Sequence, residues 1–243
     1  MSANAYIGTS GWNYAHWQPR FYQNTPKSQW LSFYADQFNA IEVNSTFYRL
    51  QSRKTFQHWY EQTPDAFRFA IKGNRYLTHT KRLNKPHDSI KLEQQHAQYM
   101  KEKLAVVLWQ LPGNFSRHLD RLALFIDALV KWDSVRHAIE FRHSSWFTKD
   151  IAELLRRDNI AVCQSDAGDW PLWQEVTADF VYLRLHGNPT TYVSNYSPAK
   201  LTNLASKIKT WLKRGLDVHV YFDNDTQARA PRNALSLQKL VSN

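Results

Sequence analysis

The sequence predicts an α/β fold, a TIM-type (β/α)8 barrel that forms a single domain over residues 1–243. Three observations lead to this prediction: eight short strand-like runs, helical patterns between them, and a length of 243 residues, near the ~250 residues typical of one such barrel. No linker rich in Pro, Gly or Ser divides the chain. The alternation favours a parallel sheet, and the count of eight favours a closed barrel.

Eight runs rich in β-branched and aromatic residues are predicted to be strands. They are Tyr6–Ser10, Ala40–Asn44, Phe67–Lys72, Ala105–Gln110, His137–Arg142, Ile160–Asp166, Phe180–His186 and Asp217–Asp223. The intervening segments place apolar residues on one helical face, as Leu201 and Ile208 do. One helix is predicted to begin with Ser197 as its N-cap and Pro198 in its first turn, and to stop at Gly215.

Side-chain alternation predicts which strand residues face the barrel interior. In each run one parity is apolar, as at Ile41 and Val43, and is expected to pack against the outer helices. The other parity is polar near the strand ends, and the carboxyl ends of all strands meet at one mouth. These polar residues are Ser10, Glu42, Asn44, Lys72, Gln110, Glu140, Arg142, Gln164, Asp166, Arg184, His186 and Asp223. The alternative is that they form ion pairs that only fill the barrel.

Charge and cysteine content limit the partners and the compartment. The formal net charge of +10 favours phosphate esters or nucleic acid, and Arg68–Lys103 alone holds nine Lys and Arg against three Asp and Glu. The single cysteine, Cys163, excludes an internal disulfide and fits a reducing compartment. The sequence shows no signal-peptide pattern and no apolar window of ~18 residues, so we expect a cytoplasmic protein without a membrane partner.

Short motifs at the strand ends carry a resemblance to a known family. They are Gly8–Trp12, Glu42–Tyr48, Thr78–His79, Gln110–Pro112, Glu140–His143 with Ser145–Trp146, Arg184–Gly187, Phe222–Asp225 and Asn233–Ala234. Together they resemble the family called domain of unknown function 72, or YecE-like, over nearly the whole chain. The resemblance implies a TIM-type barrel and no established activity. The resemblance also implies Phe-Asn-Asn-Asp at the eighth strand, whereas this chain has Asp223 in place of the first Asn, which adds a carboxylate.

Four residues of the predicted mouth have side chains suited to proton transfer. They are Glu42, Glu140, His186 and Asp223, which we predict to be catalytic. The competing interpretation is that Arg142 or Arg184 neutralises each Glu as a structural ion pair. The same Glu140, His186 and Asp223, with Asp166, have the ligand chemistry of a divalent-metal site. No ligand motif supports a metal, so the cofactor stays undetermined, and no glycine-rich fingerprint predicts a nucleotide cofactor.

A second set of residues is predicted to bind substrate. Arg142, Arg184 and Lys72 form the expected anion clamp, because guanidinium and ammonium groups bind phosphate or carboxylate. The full set is Ser10, Trp12, Asn44, Tyr48, Lys72, Gln110, Arg142, Asp166, Arg184 and Asn224. Loop aromatics are expected either to stack on rings of a ligand or to pack internally. They are Trp12, Tyr14, Trp17, Phe47, Tyr48, Tyr76 and Trp146.

Three function hypotheses follow from these residues. The leading one is a hydrolase that acts on a phosphorylated or phosphodiester-containing substrate, with the cationic clamp holding the anion. The second is a carbohydrate-active hydrolase or isomerase in which Glu42 and Glu140 carry the chemistry. The third is a non-catalytic nucleic-acid-binding protein that uses the basic segment and the aromatic loops.

Overall fold

The computed structural model describes residues 3–242 of the chain. Eight parallel strands form one sheet in the order β1-β8-β7-β6-β5-β4-β3-β2. Their bounds are β1 Ala5–Thr9, β2 Ala40–Val43, β3 Arg68–Lys72, β4 Leu104–Gln110, β5 Arg136–Glu140, β6 Ala161–Ala167, β7 Phe180–Gly187 and β8 Asp217–Phe222. All eight predicted strands are confirmed, with ends that differ by at most two residues.

Helices surround the strands as predicted, with one exception. They are α1 Trp30–Gln37, α2 Ser45–Tyr48, α3 Arg53–Glu61, α4 His87–Ala97, α5 Leu119–Val130, α6 Lys149–Arg157, α7 Pro198–Lys213 and α8 Arg229–Ser242. The exception is the connection from β6 to β7, where residues 168–179 form a loop without a helix. Helix α7 begins at the predicted cap, where Ser197 accepts a hydrogen bond from the Lys200 amide. Among residues 3–242, no helix has the length and apolarity needed to cross a bilayer.

The barrel closes where β1 approaches β2. An isolated bridge joins Ser10 to Glu42, and the Asn39 side chain joins the lower ends, where it accepts from the Ile7 amide (3.0 Å) and donates to the Ala5 carbonyl (2.8 Å). A Cβ at Gly8 would lie 2.0 Å from the Ala40 carbonyl oxygen. Glycine at this position therefore permits the close approach of the two strands.

Two apolar layers confirm the predicted alternation. The outward parity, including Ile41 and Val43, belongs to a large core shared with the helices. The inward parity below the mouth forms a separate cluster, in which alanines of β2, β3 and β5 lie with the bulky rings of β7 and β8. Its buried members are Ala40, Ala70, Val106, Leu108, Ala138, Ala161, Cys163, Phe180, Tyr182 and Tyr221. The barrel is thus filled by side chains, and the charged residues lie above this filling at the carboxyl ends.

Strand β6 corrects one part of the parity prediction. Ala161 and Cys163 belong to the interior cluster, whereas Val162 packs with the outer core, so Gln164 and Asp166 point outward. Both line a cavity of about 330 Å³ between β6, β7 and α7. Because no helix follows β6, its outer face tolerates polar side chains there. The polar residues of this strand were therefore wrongly predicted to face the mouth.

Candidate active site at the barrel mouth

Arg184 organises the inward-facing cluster at the mouth. Its side chain is 1% exposed, and each of its three guanidinium nitrogens contacts a partner. Nε bonds the Glu42 carboxylate, Nη1 bonds Glu140 (2.9 Å), and Nη2 bonds both Glu42 (2.8 Å) and Asp223 (3.1 Å). Nη2 also lies 2.9 Å from Ser10 Oγ. Four of the residues predicted to share one mouth, drawn from four different strands or strand ends, thus meet on one guanidinium.

The two glutamates are fully buried and held in place. Glu42 accepts hydrogen bonds from Ser10 and from the Tyr182 hydroxyl (2.7 Å), in addition to those from Arg184. Glu140 bonds Arg142 Nε at 2.7 Å through its second oxygen. Burial alone would raise the pKa of Glu140, but Arg142 and Arg184 outweigh it and hold that pKa well below its usual range. Glu140 is therefore ionised, and the ion pairing expected as the competing interpretation is present for both glutamates.

His186 and Asp223 form a buried pair beside Arg184. His186 Nε2 lies 3.2 Å from Arg184 Nη1, and Nδ1 lies 2.9 Å from Asp223 Oδ2. Because a guanidinium only donates, Nε2 is the acceptor and the ring proton is assigned to Nδ1, facing Asp223. Burial and the neighbouring Arg184 charge lower the pKa of His186, so the ring is neutral. Nε2 is engaged by Arg184, and the protonated Nδ1 lies close to Asp223 without hydrogen-bond geometry, so the ring has no free acceptor nitrogen for the predicted general-base role.

Three side chains on adjacent strands retain unused donors. Lys72 of β3 is 8% exposed, and its Nζ lies 4.1 Å from the centre of the Phe47 ring. Within the described chain, neither this ammonium nor the Gln110 side-chain amide on β4 has a hydrogen-bond partner, and Arg142 after β5 bonds only through Nε. Burial and the Arg184 charge lower the pKa of Lys72 to about 8. We call Lys72, Gln110 and Arg142 the donor triad.

Two residues near the donor triad were not among the predicted site residues. His79 lies in the short helical segment after β3, and burial together with Lys72 and Arg75 lowers its pKa to about 4, so its ring is neutral. Trp170, in the loop after β6, places its ring 3.8 Å from the Arg142 guanidinium and 4.8 Å from His186. The Thr78–His79 motif was a signal for the first, whereas no periodic pattern marks the second.

Several predicted substrate ligands lie outside the charged cluster. Asp166 bonds Asn188 (2.8 Å) on the outer side of the sheet, and buried Asn224 donates to the Ser194 carbonyl and to Asn233. Asn44 donates to Ser10 Oγ at 3.2 Å and borders the cluster. Asp166 lies an odd number of positions after the inward-facing Cys163, and Asn224 lies an even number of positions after the outward-facing Phe222. Alternation therefore turns both side chains to the outer face, where they make structural contacts away from the mouth.

The loop aromatics divide between packing and exposure. Trp17 and Trp146 are fully buried, and their indole nitrogens donate to backbone carbonyls. Trp12 is partly buried against the edge of Trp59. Tyr48 and Tyr76 are 68% and 56% exposed. Only the two tyrosines of this group thus present large open ring surface at the rim.

The basic segment does not form one surface. Arg75, Lys81 and Arg82 follow β3 and belong to the mouth side, whereas Lys101 and Lys103 precede β4 at the opposite end. Lys103 is buried and donates to the carbonyls of Tyr60 and Thr63. The charge excess of the sequence is therefore split between the two ends of the barrel.

The suggested metal set is not assembled. Among residues 3–242, no group of three or more His, Cys, Asp or Glu side chains is arranged to hold a metal ion. Asp166 points outward, and Glu140 and Asp223 are already paired with Arg184. The residues predicted as a set of metal ligands therefore contact different partners.

Comparisons with known proteins agree on one family. The model described as protein of unknown function DUF72 matches residues 6–243. The protein YunF of Bacillus subtilis is 25% identical over 97% of this chain and 94% of its own length. YecE of Escherichia coli K12 is 29% identical over 61% of this chain and 52% of its own length.

Solved structures give the same grouping. A DUF72 family protein of Thermotoga maritima superposes with a TM-score of 0.85 at 26% identity, covering 99% of this chain and all of the other. The glycoside hydrolase family 5 enzyme PbGH5A of Prevotella bryantii reaches a TM-score of 0.52 at 13% identity over 89% of this chain and 86% of its own, which shows similarity of fold alone. The match over nearly the whole chain and the shared barrel establish that this chain belongs to the DUF72 family, as its motifs predicted.

Proposed function

We propose that this protein is an enzyme, of hydrolase type, that acts on a phosphorylated or phosphodiester-containing substrate at the barrel mouth. One observation carries the proposal: the donor triad offers an ammonium, an amide and the free edge of a guanidinium from three adjacent strands. None of these groups has an acceptor in the described chain beyond the single bond from Arg142 to Glu140. A phosphoryl group is small and carries several acceptor oxygens, so it can accept hydrogen bonds from several of these donors at once.

The charges beside the triad favour an anion. Arg142, Arg184 and Lys72 balance the three carboxylates of the cluster, so the site has no surplus of negative charge to repel a phosphate. Arg75 at the rim adds a further positive charge, and neutral His79 adds none. In a site shielded from water, these cations act more strongly on a charged group than they would at the surface.

The roles within the hydrolase differ from those predicted. Glu42, Glu140 and His186 are engaged by Arg184, so they hold the guanidinium rather than transfer protons. Lys72, with a pKa of about 8, is suited to protonate the leaving oxygen of a phosphate ester. Arg142 offsets the charge on the phosphoryl oxygens, and the neutral ring of His79, a weak base with a pKa of about 4, orients the attacking water rather than taking its proton.

The carbohydrate hypothesis fits the geometry less well. Glycoside hydrolysis by two carboxyl groups needs one of them protonated as the general acid. Glu42 and Glu140 instead share one buried guanidinium, and the pKa of Glu140 is held well below its usual range. Glu140 is therefore unsuited to donate a proton at neutral pH, and Glu42 is held by Arg184, Ser10 and Tyr182.

Nucleic acid is the second candidate, and the exposed rim tyrosines favour it. Tyr76 lies beside Lys81, whose Nζ is 5.7 Å from the ring centre, and Tyr48 is the most exposed of the loop aromatics. An unpaired base stacked on such a ring would leave its phosphate near the basic side chains. A single-stranded nucleic acid is a chain of phosphodiesters, so it falls within the proposed substrate class.

Titration with inorganic phosphate, followed by calorimetry and by ³¹P NMR, tests the anion site. We expect saturable binding by the wild type, weakened at least tenfold in Lys72→Met, Arg142→Gln and Gln110→Leu, which corresponds to about 1.4 kcal/mol or more. Lys213→Gln, at the exposed end of α7, is the matched control and should bind as the wild type does. Circular dichroism establishes that each variant is folded. Absence of phosphate binding by the wild type, or equal binding by all variants, would refute the proposal.

A further inference from the structure

Lys72 differs from the other buried lysine of the chain. Lys103 donates to two backbone carbonyls, those of Tyr60 (2.8 Å) and Thr63 (2.6 Å), which satisfy its ammonium at the opposite end of the barrel. Lys72 has no hydrogen-bond acceptor in the described chain, and no carboxylate lies within 4.0 Å of its Nζ. A structural ion pair therefore does not account for the position of Lys72.

Lys72 loses its proton more readily than an ordinary lysine. Burial is the largest effect that lowers the pKa of its ammonium, and the charges of Arg184 and Arg142 lower it further, whereas Glu140, Glu42 and the Phe47 ring beside Nζ oppose the shift. With a pKa of about 8, about one side chain in ten is a free amine at pH 7, against about three in ten thousand for an ordinary lysine. A free amine in a shielded site is a nucleophile.

We propose that Nζ of Lys72 forms an imine with the aldehyde or ketone group of a small phosphorylated substrate, whose phosphate is bound by Arg142 and Gln110. This inference rests on the anion site of the proposed function, and it gives Lys72 a role that is an alternative to protonating a leaving oxygen, because here the phosphate is held and not cleaved. The class of substrate is a phosphorylated carbonyl compound of a few carbon atoms. The class of reaction is the making or breaking of a bond next to the carbonyl carbon.

The covalent step is balanced without a cofactor. The nitrogen lone pair of Lys72 attacks the carbonyl carbon, a C–N bond forms, and the carbonyl oxygen takes up a proton to give a carbinolamine. That oxygen then leaves as water with the two hydrogens that the amine supplied, and a C=N bond results. The imine nitrogen then takes up a proton from solvent, and the resulting iminium withdraws electrons from the adjacent carbon, which makes a neighbouring C–H or C–C bond easier to break.

Reductive trapping tests this inference with glycolaldehyde phosphate as the probe. The wild-type protein is incubated with the probe, reduced with sodium borohydride and analysed by intact mass and peptide mapping. We expect one adduct, on Lys72, whose yield rises as pH increases through about 8 and falls when inorganic phosphate competes. Glycolaldehyde without phosphate should label Lys72 at least tenfold less. Lys72→Arg should abolish the adduct, while Lys213→Arg, on the exposed end of α7, should retain it.

The outcomes separate the imine from the anion site. Phosphate binding that depends on Lys72 without a trapped adduct would overturn the imine and leave the proposed function standing. Absence of both would overturn both. Labelling spread over exposed lysines, or equal labelling by the two aldehydes, also contradicts the inference. Peptide mapping of the wild type decides the matter even if Lys72→Arg does not fold.

Discussion

At the scale of single residues, buried charge is the dominant feature. Arg184 is nearly inaccessible and pairs with three carboxylates, of which only Glu140 also has a second arginine, Arg142, among the described residues. A buried ion pair contributes little against a well-packed apolar group, but removal of one partner is costly because the other charge stays buried. The cluster is therefore sensitive to substitution at its centre.

Replacing Arg184 by Met should lower the free energy of unfolding at pH 7 by about 3–5 kcal/mol, because Glu42 loses its cationic partner. Urea denaturation followed by tryptophan fluorescence measures this loss. The double variant with Glu42→Gln should recover part of it. Arg157→Met is the control, since Arg157 pairs with Asp158 at the surface, and this variant should unfold at nearly the same urea concentration as the wild type. A loss below about 1 kcal/mol in Arg184→Met would contradict the central role of this residue.

His219 makes the free energy of unfolding depend on pH, in a direction that follows from its pKa. Burial and the Arg136 charge lower its pKa from 6.5 to about 3 in the folded state. Below pH 6.5 the unfolded chain therefore binds a proton that the folded one does not, so stability falls as pH falls, by on the order of 1 kcal/mol per pH unit. His137 contributes with the same sign, and Glu93, whose pKa is raised to about 8, with the opposite sign.

The difference between wild type and His219→Phe isolates this histidine. The Phe ring can keep the stacking on Tyr6, whose centre lies 4.6 Å away. Stability measured by urea denaturation at pH 7, 6 and 5 should fall less steeply in the variant. Parallel pH profiles for the two proteins would show that His219 is protonated as easily in the folded state as in the unfolded one.

At the scale of elements, the contact between β1 and β2 that closes the barrel is the part of the fold most sensitive to substitution. Strands β1 and β2 share one bridge, and side chains make the other hydrogen bonds between them, with Asn39 at the lower ends, Tyr34 in the middle and Ser10 at the mouth. This join also positions the site, because Ser10 and Glu42 are the bridged pair. A change that separates the two strands should therefore disturb the cluster as well as the fold.

Gly8→Ala should destabilise the protein by about 3 kcal/mol, because its Cβ would lie 2.0 Å from the Ala40 carbonyl oxygen and the strand must shift. Thermal and urea denaturation measure the effect. Gly113→Ala is the control, since the nearest atom to its Cβ would be 3.9 Å away. Equal stability of the two variants would mean that β1 and β2 tolerate a wider separation than the structure shows.

The connection from β6 to β7 has two effects on the site. Without a helix, it leaves the outer face of β6 to Gln164 and Asp166 and to the cavity beside α7. The same loop brings Trp170 over Arg142, which limits the exposure of the Arg142 side chain to 18%. A ring over a guanidinium stabilises the cation, so this loop holds one member of the donor triad in place.

At the scale of the whole molecule, the net charge of +10 is divided between the two ends of the barrel. Lys81 and Arg82 lie on the mouth side, while Lys101 and Lys131 lie where the chain enters β4 and β5. Total charge alone attracts nucleic acid to any basic surface. A specific interface at the mouth would instead depend on one end only.

Charge reversal distinguishes these cases for a short single-stranded oligonucleotide. We expect Lys81→Glu with Arg82→Glu to weaken binding at all sequences and to lower the slope of log K against log salt by about 2. Lys101→Glu with Lys131→Glu makes the same change in total charge at the opposite end and should weaken binding less. Equal effects of the two pairs, measured by fluorescence anisotropy, would assign the binding to net charge rather than to the mouth.

The sequence by itself determined the barrel fold and most of the residues that line its mouth. Strand and helix periodicities are local properties, so they located all eight strands and predicted that Glu42, Glu140, Arg184 and Asp223 face inward together. The family motifs pointed to the same fold.

Only the tertiary structure decided how these residues share their charges. The spacing of residues within one strand does not give the distance to a residue on the other side of the barrel. Only the closed sheet shows that Glu42 and Glu140 both bind Arg184 and are not free to bind a substrate. The outward direction of Asp166 also depended on a neighbour, because a missing helix lets a polar side chain lie on the outer face. Lys72 emerged as the candidate reactive group for the same reason: its pKa and its free donors depend on groups from other strands.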